Sequence, residues 1–197
     1  MRAVARWLAA LAFAFAAGVG LSYGQSYAPD AVAPLFNSSA PVVLVAGLAS
    51  LGARRWVGAA SLGALAAPAL VAGYYVASHL RGFAGSAGNI AMWGAAGVVF
   101  GAAMGLAWWL LRTPASPWSR AAGAAAFPGI ALGEAWHGLT RIVDTTPPTY
   151  WWTQAAIGVA TLLVLAGLKV PTWAARLLAV GFTAAIAVAI YALYGAI

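Results

Sequence analysis

The chain has no cysteine, three acidic residues and few charges of any kind, and each shortage removes a class of function. Without cysteine there is no disulfide framework, no thiolate metal site and no thiol nucleophile. Three carboxylates, Asp30, Glu134 and Asp144, cannot build a carboxylate-bridged di-iron centre, which takes two Glu-x-x-His motifs and two further acids. The H-E-x-x-H, G-x-S-x-G and P-loop signatures are absent, so no motif marks an enzyme. Charged residues make up 7% of 197 positions, too few to coat a soluble domain.

What is present is apolar: 64% of the residues are hydrophobic and the mean hydropathy is +0.89. That much apolar side chain needs the lipid bilayer as its partner. The net charge of +7 does not point to nucleic acid, because the basic residues are scattered between apolar runs with no basic stripe and no RNA-binding motif. No resident cofactor or metal follows from the composition, although His79, His137 and Glu134 would suffice in number for a mononuclear site.

Runs near the spanning length fall at Val4 to Tyr23, roughly Pro34 to Leu51, Trp56 to Leu80, Asn89 to Leu111, Ala121 to Leu139, Trp151 to Leu168 and Trp173 to Tyr194. The expected fold is therefore all-α, one polytopic domain over residues 1–197 with seven transmembrane helices. The basic start and apolar middle of the first run also suit a cleaved leader, which would leave six. Its length of about 20 residues favours a retained span. With the N-terminus in the cytoplasm, Arg2, Arg6, Arg54, Arg55, Arg112, Arg120, Lys169 and Arg176 lie inside, and only Arg81 and Arg141 lie outside. This is the positive-inside pattern of a plasma (inner) membrane protein with its C-terminus outside, and all ten tryptophans then fall near one boundary or the other.

Small residues recur at four-residue spacing in Gly97, Gly101 and Gly105 and in Ala10, Ala14 and Gly18, faces on which helices in lipid can approach closely. The second run is short for about 30 Å of hydrocarbon, so part of A-P-D-A-V-A-P-L-F-N-S-S should lie at membrane depth. There Asn37, Ser38 and Ser39 either line an outward depression or, for Ser39, cap the helix that Pro41 starts.

The segment G-E-A-W-H-G-L holds the chain's one glutamate. Glu134, His137 and Arg141 share a helix face, with the acid roughly 10 Å below the arginine along the axis. At that depth a carboxylate needs a partner. Tyr75 and His79 near the end of the third run, Asn89 and Trp93 at the start of the fourth, and Tyr150, Trp151, Trp152 and Gln154 at the start of the sixth collect at the same outer level. Glu134, His137, Arg141, His79, Tyr75, Asn37, Trp93, Trp152 and Gln154 are thus the expected ligand-binding residues of an outward-facing cup. The alternative is a polar network, with Arg141 or Arg81 as counter-ion, that only fixes helices. Pro68 and Pro128 each interrupt an outward run some turns before a histidine, hinting at a repeated unit.

Residues 89 to 112, N-I-A-M-W-G-A-A-G-V-V-F-G-A-A-M-G-L-A-W-W-L-L-R, and 125 to 139, A-A-F-P-G-I-A-L-G-E-A-W-H-G-L, together with G-Q near the end of the first run and N-S before the second, resemble an uncharacterised family of small actinobacterial integral membrane proteins. That resemblance implies the fold and a glutamate in the fifth helix, and no activity. More loosely, the chain is similar to the substrate-binding membrane subunits of energy-coupling-factor transporters. Those imply a small-molecule ligand taken from outside and a membrane partner subunit, contacted here through Ala10, Ala14 and Gly18. They have six helices and both ends inside, from which this chain departs. The two functional expectations are a small-molecule binding or uptake component and an accessory subunit without a ligand of its own.

Overall fold

A computed structural model describes residues 2–83, 85–113 and 116–196. Among the described residues there are seven α-helices: α1 (Arg2–Tyr27), α2 (Ser39–Ala49), α3 (Trp56–Leu80), α4 (Ala87–Arg112), α5 (Pro117–Arg141), α6 (Pro148–Lys169) and α7 (Trp173–Tyr194). Short 3-10 turns, Ala33–Asn37 and Ser50–Gly52, flank α2. Among the described residues there is no strand. Five helices, α1, α3, α4, α6 and α7, are long and apolar enough to cross a membrane. The fifth is as long but carries Glu134, His137 and two arginines. Proline at the first position pre-sets the start of α5 and α6, where the missing N–H costs nothing. Pro68 and Pro128, expected to interrupt their runs, lie inside unbroken helices, a substitution that lipid-embedded helices tolerate.

The helices divide into two compact units, residues 1–29 with 35–109 and residues 30–34 with 110–197. In the first, α1 and α3 run parallel. Gly18 lies on the Leu70 carbonyl and Gly73 on that of Phe15, each so close that a methyl group would collide with backbone, and farther along Ser22 meets Ser78. α4 returns antiparallel, with Gly63 against Gly101 and Gly105 against the Ala59 carbonyl. These contacts place the small-residue faces of α1 and α4 inside the unit. Ala14 is fully buried among Ala46, Ala66 and Leu70, so Ala14 and Gly18 are covered by α3 and are not free for a scaffold partner, as the energy-coupling-factor likeness had implied.

Parallel α1 and α3 require the intervening chain to return across the same thickness, and α2 alone, at 11 residues, rises only about 16 Å. The flanking 3-10 turns, at about 2 Å per residue, supply a comparable rise. Phe36 in the first turn packs its ring on Gly24 near the end of α1, and Gly47 packs under the Trp108 indole near the end of α4. The awkward second span is thus a composite crossing. Its cap sits one residue earlier than expected: Ser38 is at the N-cap position with its hydroxyl donating to the Leu35 carbonyl at 3.3 Å.

The second unit repeats the parallel pairing. Gly129 and Gly133 of α5 lie against Thr183, Ile186, Ala187 and Ile190 of α7, while α6 descends antiparallel along α5 with Trp151 on Gly138 and Gly158 on Leu132. Its core is built of Ala121, Ala124, Leu162, Val170, Ala175 and Ala179. Large apolar side chains such as Leu8, Val99, Leu163, Leu168 and Leu177 face outward, the distribution expected where lipid is the solvent and packing rests on small residues.

Candidate functional site

The buried glutamate lies where α5, α6 and α7 meet. Two glycine contacts make this meeting close: Gly133 admits Ala187 and Ile190 of α7, and Gly138 admits the Trp151 ring of α6. Glu134 is consequently 4% exposed and is reached from both neighbouring helices. Gln154 Nε2 donates to Oε2 at 2.9 Å and to the Ala131 carbonyl at 3.2 Å, and Tyr194 Oη donates to Oε1 at 3.1 Å. Tyr150 Oη, one helical turn before Gln154, donates to the amide oxygen. The result is a chain Tyr150, Gln154, Glu134, Tyr194 that joins three helices through charge-assisted and neutral hydrogen bonds.

Burial falls along the α5 face, from Glu134 buried through His137 half-buried to Arg141 exposed. The imidazole sits 5.4 Å from the Tyr194 ring and 6.1 Å from that of Tyr191, and its Nδ1 is enclosed without a hydrogen-bond partner. Arg141, one of the two counter-ions offered by the alternative of a polar network, turns to α7 instead, donating from Nε to Tyr191 Oη at 3.2 Å. Trp136 stacks on the other side of this aromatic group, 4.3 Å from Tyr191 at 21°.

Of the nine residues expected at a binding cup, Glu134, His137 and Gln154 are brought together in the second unit, with Arg141 at the end of the same face. Trp152 belongs to that unit but is 66% exposed, and it borders a shallow apolar depression with Ala155, Ala156, Val159, Ala160 and Leu163, all of α6. The other four lie in the first unit. His79 and Asn37 are exposed, Trp93 is half-buried, and Tyr75 makes an edge contact with Tyr74 at 5.4 Å. Among the described residues no three His, Cys, Asp or Glu side chains gather.

Several polar partners were not anticipated. Ser22 and Ser78 share a 2.7 Å hydrogen bond, Arg81 reaches the Ser22 carbonyl at 2.7 Å, and Tyr74 donates to Gln25. The signal was in the spacing: Ala10, Ala14 and Gly18 continue at four residues to Ser22 and Ser26. Tyr194 similarly extends the buried α7 face of Thr183, Ala187 and Ile190.

Seven apolar helices with outward-facing leucines and an acid buried among glycines define a polytopic helical membrane protein. The chain belongs to the family of unknown function DUF6518, whose model matches residues 1–197. No curated protein and no solved structure matches it.

Proposed function

We propose that the protein is a small-molecule binding or uptake component of the plasma membrane, with its N-terminus in the cytoplasm and the upper end of α5 facing outward. The observation that carries this reading is Glu134, a carboxylate withdrawn from water and centred on donors from two other helices, beside an imidazole whose Nδ1 has no partner. An ionisable group in the hydrocarbon is costly and marks function by default, whereas close packing of these helices is already supplied by glycine. The acid would take a hydrogen-bond-donating or cationic group of the ligand, and the Trp136, Tyr191 and Tyr194 rings would hold an apolar body. The surplus of basic residues on one set of loops supports the orientation.

A second reading has its own support. Both Glu134 oxygens already accept hydrogen bonds, which suits an accessory subunit whose network only locks α5, α6 and α7. Native mass spectrometry of protein purified from its own membranes separates the two. A co-purifying small molecule present on the wild type and absent from Glu134→Gln, with helicity unchanged and the variant still folded, is the result expected of a binding component. No such molecule on either protein, or one that Glu134→Gln retains, would assign the network to scaffolding.

A further inference from the structure

Two arginines close the helices that contain the internal prolines, and they use their guanidinium groups differently. That of Arg81 is engaged within its own unit: Nε donates to the Ala77 carbonyl at 3.2 Å, and the terminal nitrogens donate to Ser26 and to the Ser22 carbonyl at 2.7 Å. Arg141 donates through Nε alone, to Tyr191 Oη. Among the described residues its two terminal nitrogens meet no acceptor, and no carboxylate is within ion-pair reach. The side chain is exposed yet not loose, because Tyr191 fixes Nε and is itself stacked on Trp136, with the guanidinium carbon 6.0 Å from the tyrosine centroid. The nitrogens left over are the fork that matches two oxygens of a phosphate.

Position selects the source of that phosphate. Arg141 is the last residue of α5, and Trp136, 44% exposed, lies within two turns of it, where an indole prefers the headgroup level. A cation without an internal counter-charge at this height has lipid phosphates as its nearest anions. We infer that Arg141, oriented by Tyr191 and Trp136, binds the phosphate of an anionic lipid headgroup in the leaflet into which α5 emerges. The site shares Trp136 and Tyr191 with the ligand site proposed at Glu134, but Arg141 makes no contact with that acid, and it stands whether or not the acid binds a ligand.

The test is native mass spectrometry of detergent-solubilised full-length protein with phosphatidylglycerol, phosphatidylcholine or inorganic phosphate added in separate arms. Wild type should retain phosphatidylglycerol more than phosphatidylcholine, and Arg141→Gln should lower phosphatidylglycerol occupancy about tenfold through loss of the bidentate pair. Arg141→Lys should lose nearly as much, since a point charge lacks the fork, and Tyr191→Phe should lose part of it by releasing Nε. Melting should stay at the wild-type temperature in Arg141→Lys and Tyr191→Phe, which keeps the test open if Arg141→Gln folds poorly. Equal phosphatidylglycerol occupancy in wild type and all three variants overturns the site. Full occupancy in Arg141→Lys overturns the fork, and inorganic phosphate binding in place of lipid overturns the lipid assignment in favour of a soluble phosphate.

Discussion

At the scale of single residues, Glu134 is tolerated because its two oxygens meet donors from α6 and α7. Removing the acceptor is then worse than neutralising it. Glu134→Ala leaves Gln154 Nε2 and Tyr194 Oη facing an apolar void, at about 1–3 kcal/mol for each stranded donor, so its melting temperature in detergent should fall by several degrees. Glu134→Gln keeps the shape and one acceptor oxygen, and its fall should be less than half as large. Tyr194→Phe removes the bond to Oε1, a loss of about 1 kcal/mol. A Glu134→Ala protein that melts with the wild type would show that the network contributes nothing to stability. His137 is the complementary case: its Nδ1 lacks a partner, so the imidazole is tied to the packing through its ring contacts with Tyr191 and Tyr194 and not through that nitrogen.

At the scale of elements, glycine positions decide which helices touch. Gly18 and Gly20 sit two residues apart on α1, one pressed on the Leu70 carbonyl and the other with open space around it. Gly18→Ala should split α1 from α3 and abolish folded, monodisperse protein, while Gly20→Ala should be neutral or gain up to about 1 kcal/mol from helix propensity. Size-exclusion profiles of the two variants check this, and equal behaviour would contradict the backbone contact. Gly82, the one described residue with a positive φ, at 84°, should lose about 1 kcal/mol when changed to alanine. Six of the seven helices were legible in the sequence, because apolar length and flanking Arg or Trp set their limits to within a few residues. For α2 the span and its shortness were legible too, but not the form of its flanks: hydropathy counts residues and does not say that 3-10 turns stretch them further. At the site, the shared face of Glu134, His137 and Arg141 followed from helical periodicity. That Gln154 and Tyr194 would be the acid's partners, rather than an arginine, depended on which faces of α5, α6 and α7 meet, which no local pattern encodes. The exposure of Trp152 was not legible for a related reason, since a position near a helix end does not tell which side of the helix faces outward.

At the scale of the whole molecule, the absence of cysteine makes topology directly measurable. Single cysteines at Asp30, Ser116 and Asp144 should react with a membrane-impermeant maleimide in intact cells at Asp30 and Asp144 but not at Ser116, which should react only after permeabilisation. Labelling of Asp30→Cys and Ser116→Cys from the same side would mean that α2 and its turns do not cross. The reverse pattern at all three sites would invert the orientation given by the basic residues. The central claim, that the acid at the meeting of α5, α6 and α7 serves a ligand, is tested most directly by an experimental structure in native lipid. Non-protein density within hydrogen-bond distance of Glu134 or His137 Nδ1 is the result expected, whereas the absence of any such density, with only protein atoms around both side chains, would contradict it.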